Sequence, residues 1–146
     1  MDIYDRTVEE IRNFNRFYTV SMGFLNSSYL DSDFSIVESR ILFEINAHGA
    51  CSQSEIVKIL RIDKSYLSRI VQRFCIKELV EKTYSDSDKR ITELKLTEKG
   101  KREVQKLVVL ANEKIKVRIK DLSFDECCKL NKSIYDIISI LGKGEI

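Results

Sequence analysis

Apolar residues recur every three or four positions along much of the chain, which is the spacing of one face of an α-helix. The first such stretch predicts a helix over about residues 2–27, with an apolar face made of Ile3, Val8, Ile11, Phe14, Phe17, Tyr18, Met22 and Leu25. Residues 26–33 are rich in side chains that hydrogen-bond their own backbone, which is typical of a linker.

Three helix starts carry the capping-box sequence S-x-x-E, in which a hydroxyl and a carboxylate bind backbone N–H groups that the first turn leaves unpaired. The boxes begin at Ser35, Ser52 and Ser123. The second box starts a short helix over residues 52–60, and Asp63 can then cap another helix over residues 64–77. Two short helices across a tight turn predict a helix-turn-helix.

The apolar period changes to two after Leu79, which indicates β-structure. Residues 80–85 and 91–96 predict the two strands of a hairpin, with the polar residues 86–90 at its tip. Thr97 then opens a long helix, and the last helix runs from Ser123 to a predicted stop at Gly142. The predicted fold class is mainly α (α+β), a winged helix-turn-helix with helical segments before and after it.

The helix over residues 64–77 has two faces of different chemistry. Its predicted buried face, at positions i, i+3, i+4 and i+7, consists of Leu67, Ile70, Val71 and Phe74. The opposite face carries Ser65, Arg69, Gln72 and Ile76, with Ser68 and Arg73 on the flanks and Lys64 and Lys77 near the ends. Acidic side chains are absent between Asp63 and Glu78. This face suits base edges and phosphates, although a merely solvated face is the alternative interpretation.

A helix-turn-helix places its second helix in the major groove, with the N-terminal residues nearest the bases. We therefore expect base or near-base contacts from Lys64, Ser65, Tyr66, Ser68 and Arg69. Gln72 and Arg73 would lie deeper or reach phosphates.

The hairpin tip is predicted to form a second contact. Lys89 and Arg90 could enter the minor groove, where a narrow A·T-rich width concentrates negative potential. Asp86 and Asp88 would repel phosphate, so we expect Asp88 to hold the Arg90 guanidinium by a charge-assisted hydrogen bond. A simple solvated turn is the alternative.

Composition limits the other possibilities. The chain has 146 residues, the size of one ordinary domain, and a formal net charge of +2, so DNA binding must depend on where the charges lie. The sequence has neither a membrane-spanning apolar run nor a signal peptide, and we expect a cytoplasmic protein. The four cysteines follow no C-x-x-C pattern, and we expect no disulfides.

The sequence resembles the multiple-antibiotic-resistance regulator (MarR) family of bacterial winged-helix proteins nearly end to end. The most specific segments are residues 52–56 (SQSEI), 62–71 (IDKSYLSRIV), 77–82 (KELVEK), 88–90 (DKR) and 94–100 (LKLTEKG). The last two are similar to the family's D-x-R wing and its L-x-L-T-x-x-G motif. Glu78 stands where the family usually has glycine, and Lys82 replaces a common arginine.

The resemblance implies a homodimer that binds double-stranded DNA, a repressor role and a small-molecule or redox signal. Residues 1–33 and 97–146 would form the helical dimerisation region around a DNA-binding domain at residues 34–96. The apolar faces of two helices agree with a dimer, because one small domain could hardly bury these faces alone. They comprise Val104, Val108, Ala111 and Ile115 in the long helix, and Cys127, Leu130, Ile134, Ile137, Ile138 and Leu141 in the last.

Two further functions remain as alternatives. Residues 10–19 and 35–44 are similar to the N-terminal half of proteins that fuse such a regulator to a GNAT-type acetyltransferase, so the chain could be the docking module of such a system. Oxidation of Cys127 or Cys128 could also signal across the dimer, although structural packing is favoured.

Enzyme activity and cofactors are not expected. His48 and Cys51 have a spacing that two metal ligands could use, but a zinc site needs about four ligands, and there is no second histidine. A lone histidine also leaves little for acid–base catalysis, and no phosphate-binding glycine loop occurs.

Overall fold

The structure, a computed structural model, describes residues 2–144. The outermost positions of the predicted dimerisation region, residues 1, 145 and 146, lie outside the described residues. The helices are α1 (Ile3–Ser21), α2 (Ile36–His48), α3 (Gln53–Leu60), α4 (Lys64–Ile76), α5 (Glu98–Ile119) and α6 (Phe124–Leu141), and the strands are β1 (Cys51–Ser52), β2 (Val80–Tyr84) and β3 (Thr92–Leu96). The predicted fold class, mainly α with a winged helix-turn-helix, is confirmed.

All three predicted capping boxes are present, at the starts of α2, α3 and α6. At the start of α2, the Glu38 backbone N–H donates to Ser35 Oγ at 3.1 Å and the Ser35 N–H donates to Glu38 Oε2 at 2.9 Å. Asp63 caps α4, because its Oδ2 accepts the Tyr66 N–H at 2.9 Å. The helix starts therefore follow from short sequence signals.

Helix α1 ends earlier than the apolar pattern predicts, at Ser21 rather than near residue 27. Gly23 adopts a φ of 70°, the left-handed region that favours glycine. The Gly23 N–H donates to the Val20 carbonyl and the Phe24 N–H to the Thr19 carbonyl, which is the Schellman pattern that ends a helix. The apolar residues beyond Gly23 belong to a turn.

The sheet has three antiparallel strands in the order β1–β3–β2. The predicted hairpin is confirmed, and its register places Val80 opposite Leu96 and Tyr84 opposite Thr92. Strand β1 was not predicted. It pairs Cys51 with Leu94 and Ser52 with Glu93, and two residues are too few to show an alternating pattern.

The core lies between the helix-turn-helix and the sheet. Ile41, Leu42 and Ile45 of α2 are buried, and Val37 is half-buried. The predicted buried face of α4 is confirmed at all four positions, where Leu67, Ile70, Val71 and Phe74 join the same apolar cluster. This packing fixes which side of α4 faces outward.

Hydrogen bonds of Thr97 connect the turn after α4 to the start of α5. Thr97 Oγ1 donates to the Glu78 carbonyl at 2.6 Å and accepts the Gly100 N–H at 3.0 Å, while the Thr97 N–H donates to the Leu79 carbonyl at 3.0 Å. A Cβ at Gly100 would lie 2.0 Å from the Leu79 carbonyl oxygen. These contacts explain the T-x-x-G spacing. Glu78 itself has a φ of 59°, the conformation that favours the family's glycine.

Contacts divide the described residues into two units, one up to Val109 and one from Leu110 onward. In the first unit, no residue of α1 is buried, although the helix carries Ile3, Val8, Phe14, Phe17 and Val20. In the second unit, the predicted end of α6 at Gly142 is confirmed, and no residue of that helix is buried.

Between residues 2 and 144, we find no helix with the length and apolar character needed to cross a membrane.

Candidate nucleic-acid interface

The outward face of α4 presents polar and basic side chains to solvent. Lys64, Ser65, Arg69 and Gln72 are exposed, as is Ile76 at the C-terminal end. Within residues 2–144, the four polar side chains have no hydrogen-bond or ion-pair partner. The face therefore offers donors and acceptors that an external ligand can use.

Two other predicted α4 residues lie near the N-terminal part of this face. Tyr66 is partly exposed, and its backbone N–H is used by the Asp63 cap. Ser68 is exposed, and its hydroxyl donates to Gln53 Oε1 at 2.9 Å, across the turn to α3. Gln53 was not predicted as part of the site, because contacts between helices leave no signal in a single sequence.

Arg73, on the flank of α4, is paired with the protein rather than free. Its Nη2 donates to Glu38 Oε1 at 2.8 Å. Partial burial by itself raises the pKa of the Glu38 carboxyl, but the hydrogen bond from Ser35 and the hydrogen bond and charge of Arg73 hold that pKa below its ordinary value. The carboxylate is thus kept ionised and bonded to α4. The sequence indicated only the capping role of Glu38.

The hairpin tip contains the pair of Asp88 and Arg90 that the sequence predicts. Arg90 Nε donates to Asp88 Oδ1 at 3.2 Å, and the Arg90 backbone N–H donates to the same oxygen at 3.0 Å. These backbone and side-chain hydrogen bonds lower the pKa of the Asp88 carboxyl. The Arg90 side chain is nevertheless 92% exposed. Its guanidinium is therefore both oriented and accessible, and Lys89 beside it is exposed as well.

His48 and Cys51, whose spacing two metal ligands could use, make other contacts in the described part of the chain. His48 Nδ1 lies 2.8 Å from the Glu44 carbonyl oxygen, and Cys51 is buried. No group of three or more potential metal-ligating side chains occurs among the described residues. The candidate site consists of the α4 face and the hairpin tip.

Comparison with known proteins places this helix-turn-helix and hairpin in a family. Residues 32–91 match the family model described as "MarR family". This segment is a MarR-family domain. It contains every predicted contact residue, from Lys64 in α4 to Arg90 at the hairpin tip.

Sequence similarity to a curated transcriptional regulator extends beyond residues 32–91. The uncharacterized HTH-type transcriptional regulator YfiV of Bacillus subtilis (strain 168) is 25% identical over 118 residues, which are 81% of this chain and 71% of YfiV. The similarity therefore spans more of the chain than the domain match.

Solved structures show the same fold. A mutant MarR from E. coli, complexed with operator DNA, matches with a TM-score of 0.70 and 23% identity, over 94% of this chain and 99% of that chain. BpsR of Bordetella bronchiseptica, whose DNA binding is regulated by 6-hydroxynicotinic acid, matches with a TM-score of 0.66 and 20% identity, over 86% and 90%. The chain has the fold of MarR-family transcriptional regulators.

Proposed function

We propose that the chain is a homodimeric transcriptional regulator that binds double-stranded DNA through α4 and the β2–β3 hairpin. The observation that carries this proposal is the outward face of α4. Four buried side chains anchor the helix, and the opposite face presents unpartnered polar and basic groups without an acidic residue. Those groups are the types that bind base edges and phosphates.

The two contacts would differ in kind. Ser65, Arg69 and Gln72 would read base edges in the major groove, with Lys64 and Tyr66 near the helix start. Arg90, oriented by Asp88 and flanked by Lys89, would enter the minor groove, where negative potential is concentrated over A·T-rich sequence. Ser68 would contact the major groove, and its bond to Gln53 also joins α4 to α3.

A dimer would bind a pseudo-palindromic operator, with its two recognition helices about 34 Å apart, one turn of DNA. The exposed apolar side chains of α1 and of α6 support dimerisation, since each helix leaves such residues unburied. We further propose repression that a small-molecule effector relieves. BpsR, which shares the fold and whose DNA binding is regulated by 6-hydroxynicotinic acid, supports control by a small molecule.

The test begins with operator selection from a random DNA pool, followed by measurement of affinity for the selected duplex and for random duplex. We expect specific binding, and we expect Arg69→Ala and Arg90→Ala each to weaken it by about 1–3 kcal/mol, the cost of a lost base contact. Arg118→Ala is the matched control, because it removes the same charge from the exposed end of α5.

Failure to enrich any sequence, or equal affinity for selected and random duplex, would refute specific regulation. Unchanged affinity in both Arg69→Ala and Arg90→Ala, with enrichment intact, would refute the assignment of the contacts while leaving DNA binding in place. Size-exclusion chromatography of each variant checks that the dimer survives.

A further inference from the structure

We infer that Arg73 is a positioning residue, which sets the orientation of α4 through its ion pair with Glu38 and makes no phosphate contact of its own. This inference rests on the proposed function, since α4 is the proposed recognition helix. It revises the expectation that Arg73 itself reaches the DNA.

Glu38 joins two elements with its two carboxylate oxygens. Oε2 accepts the Ser35 backbone N–H at 2.9 Å and so caps α2, while Oε1 accepts Arg73 Nη2 at 2.8 Å and so holds α4. The two bonds fix the carboxylate from both sides. The ion pair thereby connects the first turn of α2 to the flank of the proposed recognition helix, 35 positions away in sequence.

A second contact joins the same two places. The rings of Phe34 and Phe74 lie edge to face with their centroids 6.2 Å apart, and both side chains are buried. Phe34 directly precedes the Ser35 cap, and Phe74 directly follows Arg73. The apolar contact holds the helices together, and the ion pair beside it restrains the rotation of α4 about that contact.

Releasing Arg73 toward a phosphate would be unfavourable. The Glu38 side chain is only 18% exposed, so without Arg73 a partly desolvated carboxylate would be left unpaired. That carboxylate would also lie beside the face of α4 that is proposed to meet DNA, where it would repel phosphates. Pairing with Arg73 removes both penalties. The ion pair with Glu38 is therefore favoured over a contact between Arg73 and a phosphate.

The experiment compares Glu38→Gln, Arg73→Met and the double variant. Glu38→Gln keeps a side-chain oxygen for the Ser35 N–H but removes the charge that holds Arg73. We expect each single change to weaken binding of the selected operator about tenfold, or about 1.4 kcal/mol, which is within the range of coupling energies for contacting residues. The double variant should be no weaker than either single one. The dependence of affinity on salt should stay unchanged.

Glu44→Gln is the matched control. Glu44 is also a half-buried carboxylate of α2 with an arginine partner, Arg40 at 2.8 Å, but that pair lies within α2. We expect its operator affinity to equal that of the wild type. Hydrogen exchange without DNA gives an independent readout, in which Glu38→Gln and Arg73→Met speed exchange of the α4 amides and Glu44→Gln does not.

A phosphate contact predicts opposite results. Arg73→Met would then weaken selected and random duplex alike and lower the salt slope by about one unit, while Glu38→Gln would leave affinity unchanged or increase it. Either result overturns the inference. If wild type shows no specific binding, the proposed function fails separately, and unchanged α4 exchange in Glu38→Gln still overturns the restraint on α4.

Discussion

Thiol environments differ sharply between individual cysteines of this chain. Cys51 lies in β1, directly before α3, and is 1% exposed, whereas Cys128 is exposed on α6. Burial, together with the nearby Glu55, Glu44 and Glu93 carboxylates, raises the pKa of the Cys51 thiol to about 11. Because the thiolate is the reactive form, Cys51 is protected by protonation as well as by burial.

We predict that iodoacetamide at mildly alkaline pH modifies Cys128 in the folded protein while Cys51 remains unmodified. The reason is that the pH stays well below the raised pKa of Cys51, which is about 11. Mass spectrometry of peptides over time measures each site, and urea-unfolded protein is the control in which all four thiols react. Equal rates for Cys51 and Cys128 in folded protein would contradict the prediction.

Residue burial along α4 and the pairing of near neighbours could be predicted from the sequence, but partnerships between separate helices could not. The positions of Leu67 and Phe74 follow from helical geometry alone. Asp88 could be paired with Arg90 because they are two positions apart. The bonds from Ser68 to Gln53 and from Arg73 to Glu38 cross 15 and 35 positions, and they exist only because separate helices pack together.

Whole elements were predictable where a local signal marks them. The capping boxes mark the starts of α2, α3 and α6. The predicted end of α1 was wrong because Gly23 ends the helix although the apolar period continues beyond it. Strand β1 was missed because its pairing with β3 depends on tertiary contact rather than on its own two residues.

The junction between β3 and α5 leads to a prediction about one glycine. We expect Gly100→Ala to lower the free energy of unfolding by about 2 kcal/mol, since overpacking that forces backbone to move costs of this order. The added Cβ would lie 2.0 Å from the Leu79 carbonyl oxygen. Urea unfolding at a fixed protein concentration measures the change.

Gly142→Ala is its matched control. Among residues 2–144, a Cβ at Gly142 would meet no atom within 4 Å apart from its chain neighbours and its own helix backbone, and the φ of −72° there is one that alanine tolerates. We expect this variant to be as stable as the wild type or slightly more stable, since alanine restricts the unfolded chain. Equal stability of Gly100→Ala and Gly142→Ala would show that the close approach at Leu79 is unimportant.

At the scale of the whole molecule, the proposed dimer accounts for apolar surface that one chain leaves exposed. Ile134, Ile138 and Leu141 of α6 are exposed, as are Phe14 and Phe17 of α1. Each of these helices has several exposed apolar side chains on one side, and apolar surface of this kind marks an interaction site.

We therefore predict that Ile134→Asp weakens the dimer by about 2 kcal/mol or more, because burying an unpaired charge is costly. Light scattering across a dilution series measures dissociation. Ile59→Asp is the control, since Ile59 on α3 is 45% exposed and Ile134 is 46% exposed. A wild-type chain that is monomeric throughout, or an Ile134→Asp dimer as tight as wild type, would contradict the proposal.

The exposed but tethered guanidinium of Arg90 also matters for the whole molecule, whose net charge of only +2 gives little long-range attraction to DNA. Immobilising a flexible side chain at an interface costs about 0.5–1.5 kcal/mol of conformational entropy. The bonds from Asp88 restrict Arg90 before any ligand arrives. For the proposed minor-groove contact, part of this entropy loss therefore occurs when the β2–β3 hairpin folds and not when DNA binds.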